Sequence, residues 1–268
     1  MGVLNTTPDS FSDGGLYLST EAAVKRGLEL LQQGADILDI GGESSRPGSD
    51  PISEEEEKKR VIPVIQRLRE ETDALISIDT VKADVAETAL DSGADIINDI
   101  SALRADPRMG KLAADKKAPV VLMHMLGTPK TMQISPEYGD VLLDIGNFFK
   151  ERMAAAADFG IAEESLILDP GIGFGKRLED NLHLIHHLDT FTGLGRPILV
   201  GVSRKSFLGA ILDLPVGERL EGTIAASLLS RLKGAHILRV HDVAPVKRAL
   251  QVAERILWEE PLPAVGTG

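Results

Sequence analysis

Cysteine is absent from all 268 residues, which excludes disulfides, thiolate metal ligands and thiol nucleophiles. Aromatic residues make up only 4% of the chain, with one tryptophan and two tyrosines, so any core has to be built from aliphatic side chains. Positive charge is also scarce. Lys and Arg number 29 against 41 Asp and Glu, a net charge of −12, which argues against nucleic acid or an anionic membrane as the main partner. An anionic substrate would have to meet a local basic cluster. No apolar run is long enough to cross a bilayer, and the first residues, with Asn5, Asp9 and Asp13, carry neither a basic nor an apolar leader region. A soluble cytoplasmic protein is expected.

What the chain does have is a repeated pattern. Eight apolar runs of strand length each end in a polar residue beside a loop: GVLN at Asn5, DILDI at Asp39, LISIDT at Asp79, DIINDI at Asn98, PVVLMHM at His124, LILDP at Asp169, PILVGVSRK at Arg204 and Lys205, and HILRVHD at Arg239 and His241. Segments of helical periodicity separate them, so the strands should be parallel and covered by helices. The pattern predicts an α/β protein, a (β/α)8 TIM barrel forming a single domain over residues 1–258, with the Pro- and Gly-rich tail 259–268 expected to be disordered. In this fold the C-terminal strand ends and the loops after them form the active face.

Strand one begins at Met1 itself, without a lead-in, which is expected to leave the bottom of the barrel open. The loop TTPDSFSDGGLYLS after Asn5 is long for a βα connection and is expected to be irregular and mobile. Thr20 is placed to cap a first helix running to about Gly34, and an acidic start, EEEE, opens the second. PILVGVSRKSFLG is expected to carry strand seven into a loop, with a helix from near Arg219 returning to strand eight. The corners at Gly34, Gly93 and Gly234, each followed by alanine, predict one shared turn geometry.

The expected active face gathers Asp79, Asn98 and Asp169 with the basic residues Arg46, Lys205, Arg239 and His241 and two glycine-rich loops. Carboxylates beside an amide match an N–H-rich heterocycle, whose donors need acceptors once it leaves water. The basic group matches phosphate: arginines offer forked donors, and Lys205 a point charge. Each residue alone has a plainer reading. Asp79 could cap a helix, Asn98 could close a turn, and Asp169 before Pro-Gly could be an Asx turn. His124 could be a packed histidine held by a neighbouring carbonyl. Asp39, before Gly-Gly, reads as loop-fixing or salt-bridging rather than catalytic. The glycines at 171, 173 and 175 lack the dinucleotide spacing and read as a loop permitting close backbone approach. Placed together at the strand ends of one barrel, the site reading outweighs the plainer ones.

The motifs MGVLNTTPDSFSDGG, GGESSRPGS, SIDT, IINDI, LMHMLGTPKTMQ, LDPGIGFGK, GVSRKSFLG and RVHDV occur in the order found in bacterial dihydropteroate synthases, a family the chain resembles over nearly its whole length. The resemblance implies condensation of 6-hydroxymethyl-7,8-dihydropterin diphosphate with 4-aminobenzoate, in folate biosynthesis, with sulfonamides competing for the aminobenzoate place. It implies that Asp79, Asn98, Asp169 and Lys205 bind the pterin, and that Ser45, Arg46, Arg239 and His241 meet the diphosphate. Asn5 matches the position that binds a magnesium ion (Mg2+) shared with that diphosphate. Phe11, Pro47, Phe174, Lys205 and Ser206 match the aminobenzoate wall, and Asp13 lies with Phe11 on the first loop. The catalytic set implied is Asp79, Asp169, Lys205, Arg239 and His241, in a homodimer. The competing readings are a non-catalytic pterin-binding paralogue and a pterin-dependent methyltransferase; retention of the anion-site residues weighs against the first, and SRKSF with RVHDV against the second.

Overall fold

Short Val-, Ile- and Leu-rich runs with polar ends form the strands of the computed structural model, which describes residues 1–6, 15–44, 49–127, 132 and 136–258. Phe11, Asp13, Ser45, Arg46, Pro47 and the tail 259–268 lie outside the described residues. β1 (Gly2–Asn5), β2 (Ile37–Gly41), β3 (Leu75–Asp79), β4 (Ile96–Asp99), β5 (Val120–Met123) and β6 (Leu166–Asp169) pair in chain order as one parallel sheet. β7 (Leu199–Val200) and β8 (Ile237–Leu238) pair separately. Single parallel bridges, Leu168 to Ile198 and Gly2 to Val240, cross the two seams where a continuous ladder would close the sheet. The connections carry α1 (Gly15–Gln32), α2 (Glu54–Glu71), α3 (Ala83–Asp91), α4 (Met109–Lys116), α5 (Val141–Asp158), α6 (Leu178–His186), α7 (Ser206–Leu212), α8 (Leu220–Leu232) and α9 (Val243–Trp258). This is the (β/α)8 TIM barrel that the sequence pattern predicts, in one domain.

Alternation along the strands sorts their side chains into two cores. Leu38, Ile40, Ile76, Ile78, Leu122 and Leu168 face outward into the layer shared with the helices. Met1, Ile37, Ile96, Val121, Ile167 and Leu199 face inward and fill the lower barrel, with Ile237 packed against them. A third, small cluster of Met123, Met125 and Met132 lies with Ile100 and Phe174.

Two local expectations are corrected. α1 starts at Gly15, so Thr20 lies inside it rather than capping it; nothing between Leu16 and Thr20 breaks a helix. The segment SFLGAIL, read as loop, is α7. On α8 the buried face is Thr223, Ala226, Ser227 and Ser230, whereas Leu229 and Leu232 are more than half exposed. The three glycine corners do share one geometry, with φ between 98° and 111°.

At the bottom of the barrel Arg69, near the end of α2, ties several elements together. Its guanidinium donates to the carbonyls of Thr72 (3.2 Å), Ala74 (3.0 Å) and Gly93 (2.7 Å) and pairs with Asp95 at 2.6 Å. The same Asp95 oxygen accepts from Ile76 N–H in β3. Replacing one charged donor strands several acceptors at once. Arg69→Met should therefore lower stability by about 2–3 kcal/mol in urea unfolding, since hydrogen bonds to charged groups contribute about that much. An unchanged midpoint would show that these bonds are replaceable by water.

Candidate active site

The inward row of each strand leads from the apolar layer to the site. Two residues beyond Ile37 stands Asp39, beyond Ile96 Asn98, beyond Ile167 Asp169 and beyond Ile237 Arg239. The register places Asp39 opposite Ser77, and Asp79 opposite Asn98, so these share the inner face. The barrel interior thus changes from aliphatic to charged within one layer.

Arg239 is the cation of that layer. Its Nε donates to Asp39 Oδ2 at 2.6 Å and its Nη2 to Asp79 Oδ2 at 2.7 Å. Nη1 is left without a hydrogen-bond partner among the described residues. Asp39 is completely buried and also accepts from Asn98 Nδ2, at 3.3 and 3.2 Å to its two oxygens. Its reading as a salt-bridging residue holds, but it does this in the barrel interior, not in a loop. Asp79 does not cap α3, whose N-cap is Lys82. Burial opposes the Arg239 cation, yet Asp39 and Asp79 overcome this and raise its pKa further. Two carboxylates share one guanidinium, and burial raises the pKa of Asp79 above the usual carboxylate range despite Arg239.

Asp169 ends β6 on the same inner row. Its Oδ1 accepts from Gly171 N–H at 2.7 Å, the Asx-turn contact, and the rest of the carboxylate is available to a ligand. Burial pushes its pKa up to about 6, against the pull of the Gly171 bond and Lys205. Lys205, at the start of α7, holds its ammonium 3.9 Å from the centre of the Phe174 ring, and burial lowers its pKa to about 8. Ser206 follows as the exposed first residue of α7.

His241 differs from the sequence expectation in charge. Burial, with Arg239 nearby, lowers its pKa to about 4, so it is neutral at physiological pH. Ser203 Oγ accepts from the His241 backbone N–H at 3.2 Å and lies 3.0 Å from its Nδ1. In the tautomer where the hydroxyl donates to Nδ1, Nε2–H is left as a donor. Asn5, at the inner end of β1, is half-buried.

The glycine loop behaves as read. Gly171, Gly173 and Gly175 all have positive φ, and a Cβ on Gly171 would lie 2.0 Å from the carbonyl oxygen of His124. Sequence reasoning missed what lies beneath this turn. Lys176 is buried, and its Nζ reaches His124 Nδ1 at 3.0 Å. The signal was present: two adjacent cations, Lys176 and Arg177, precede the N-terminus of α6, where the helix dipole disfavours them. His124 is the packed histidine expected, set edge-on to Phe148 at 4.8 Å, and burial drops its pKa to about 2. Among the described residues no group of three or more His, Cys, Asp or Glu is placed to hold a metal ion, and no helix is long and apolar enough to cross a membrane.

Comparison with known proteins bears on this site. The family described as pterin binding enzyme matches residues 1–241. Dihydropteroate synthase of Synechocystis sp. is 48% identical over 259 residues, covering 96% of this chain and 89% of that protein. The Bacillus subtilis dihydropteroate synthase is 47% identical over 257 residues, covering 96% and 88%. Among solved structures, Yersinia pestis dihydropteroate synthase with a sulfonamide drug complex superposes with a TM-score of 0.92 at 43% identity, covering 96% of this chain and 94% of that one. Xanthomonas albilineans dihydropteroate synthase in complex with 7,8-dihydropteroate gives 0.88 at 44%, covering 97% and 94%.

The raised pKa of Asp169 has a consequence for stability. The folded chain holds this proton up to about pH 6, whereas an unfolded aspartate loses it near 3.8. Its contribution is therefore full below about pH 3.8 and is lost as pH rises through about 6. Asp169→Asn keeps an acceptor for Gly171 N–H and never ionises. It should match wild type in urea unfolding near pH 4 and exceed it by about 1–2 kcal/mol near pH 7.5. A difference independent of pH would show that the carboxylate is well solvated.

Proposed function

The chain belongs to the dihydropteroate synthases, within the pterin binding enzyme family, and from that membership we propose how its barrel mouth divides two substrates. It is a transferase that joins 6-hydroxymethyl-7,8-dihydropterin diphosphate to 4-aminobenzoate, giving 7,8-dihydropteroate and diphosphate in folate biosynthesis. The observation that carries the assignment of roles is the inner layer itself, where the acceptors Asp79, Asn98 and Asp169 and the cation Arg239 come together at strand ends with Lys205 at the start of α7 beside them.

The pterin ring lies in the barrel mouth, with its N–H donors on Asp169, Asn98 and Asp79. These are buried or half-buried acceptors, so a ring without matching donors leaves them unpaired. Lys205 covers the ring's other acceptors. Arg239 offers Nη1, and His241 its Nε2–H, to the diphosphate, joined by Ser45 and Arg46. Phe174, Ser206 and Lys205, with Phe11 and Pro47, form the aminobenzoate wall.

The reaction is a substitution at the pterin methylene carbon. The C–O bond to diphosphate breaks, the amine nitrogen of aminobenzoate forms the new C–N bond, and its proton leaves to solvent. An aniline nitrogen is already neutral at physiological pH, so no strong base is required, in keeping with a site that has no catalytic dyad. The residues act by orientation and by holding charge that develops on the leaving diphosphate.

The donor set fits magnesium as a partner of the substrate, not as a caged ion. Asn5 offers one hard oxygen, and the described residues contain no acidic cage, which suits an ion that takes most of its ligands from phosphate and water. When bound, Mg2+ would neutralise charge on the diphosphate. The exposed Leu229 and Leu232 on α8, with Val252 and Ile256 on α9, support a homodimer through these outer helices, because α8 turns its small and polar residues inward.

Purified protein given both substrates should form 7,8-dihydropteroate and release diphosphate only when aminobenzoate is present, with turnover lost on chelation and restored by Mg2+. Turnover unaffected by chelation removes the metal role. Pterin binding without any condensation would instead favour a non-catalytic paralogue.

A further inference from the structure

Lys176 is a buried cation that the proposed chemistry does not use. It is 4% exposed, and its Nζ donates to the carbonyls of Phe174 (3.0 Å) and His124 (3.3 Å) and meets His124 Nδ1 at 3.0 Å. These acceptors lie on two separate pieces of the site: the end of β5 and the glycine turn after β6. The same two pieces are joined to Asp169, since His124 N–H donates to the Asp169 carbonyl at 2.9 Å and Gly171 N–H to its carboxylate at 2.7 Å. Turn and strand approach so closely that a Cβ on Gly171 would lie 2.0 Å from the His124 carbonyl oxygen, with the ammonium 3.4 Å away. Tyr138 Oη, donating to the Gly175 carbonyl at 2.6 Å, closes the far side of the turn.

We propose that Lys176 is a positioning residue of the pterin pocket, whose buried ammonium ties the end of β5 to the glycine turn and holds the Asp169 carboxylate and the Phe174 ring in place for substrate. The proposal rests on Asp169 being the pterin acceptor.

A purely mechanical pin would not need a charge. Burying an ammonium costs free energy, and burial lowers the pKa of Lys176 to about 7, with Asp169 and Asp180 opposing and Lys205 adding to the fall. In the range near pH 6 where Asp169 titrates, Lys176 is therefore mostly protonated and favours the ionised carboxylate that ring N–H donors require. The other charges facing this pair are Lys205 at the start of α7, Arg239 beyond β8 and Asp180 on α6, while His124 on β5 remains neutral. Lys205 and Arg239 also favour the Asp169 anion, but it is Lys176 whose ammonium is bonded to the carbonyls of both the turn and the end of β5.

The test is calorimetric binding of 6-hydroxymethylpterin, which lacks the diphosphate, from about pH 5 to about pH 8, to wild type, Lys176→Met, Lys176→Gln and Asp169→Asn. Removing the charge should move the acid limb of binding up by about one pH unit, so that affinity falls about fivefold near pH 6, close to tenfold near pH 5 and very little near pH 8. Lys176→Gln keeps a donor for the two carbonyls and provides the reading if Lys176→Met does not fold. An acid limb in the wild-type place, with affinity lowered equally at every pH or not at all, overturns the proposal. Asp169→Asn should bind weakly and lose the acid limb near pH 6, keeping only the dependence that Asp79, titrating near pH 7, contributes; wild-type binding by that variant would instead overturn the assignment of the pterin acceptor.

Discussion

One buried guanidinium organises the mouth of this barrel. Arg239 holds Asp39 at 2.6 Å and Asp79 at 2.7 Å, and through Asp39 it fixes the amide of Asn98. Removing an ion pair from water costs several kcal/mol per ion and is offset only when geometry and further hydrogen bonds are good. Here Asp39 is wholly buried and every contact to it comes from the barrel interior. The arrangement leaves one negative charge more than the cation can balance. That excess suits a pocket whose ligand brings N–H donors on one side, and together with burial, the larger cause, it lets Asp79 take up a proton more readily than an ordinary carboxylate.

The location of this layer follows from strand geometry. Inward residues of a parallel barrel recur every second position, and here the first inward layer is aliphatic and the next is ionic. The apolar layer gives the charged one a dry floor, which strengthens its electrostatics and confines ligands to the upper side. Strand ends and the turns after them then supply what the interior cannot: the Phe174 ring under the Lys205 ammonium, and the neutral His241 held by Ser203.

The barrel is legible in the sequence because each strand is an apolar run that ends in a polar residue, and most site residues are those polar ends. Less visible is anything that depends on partners across the barrel. Arg239 reads from sequence as two free donors for an anion, yet Asp39, 200 positions away in the chain, takes one arm. Asp39 reads as peripheral because Gly-Gly follows it, although its spacing of two from Ile37 places it on the inner row. The charge of His241 cannot be read from its letter, since burial and Arg239 decide it. α7 escapes detection because it is only seven residues long and contains Gly209, whose missing side chain leaves room for Arg219.

The most direct test of this account is a double-mutant cycle on Asp39→Asn and Arg239→Met, read by urea unfolding at neutral pH. Losing Arg239 alone leaves a buried carboxylate uncompensated, so the double variant should be more stable than Arg239→Met, with a coupling of about 2 kcal/mol or more. Additivity within about 0.5 kcal/mol would mean that the two residues do not act as a unit. The barrel mouth would then be organised by something other than this ion pair.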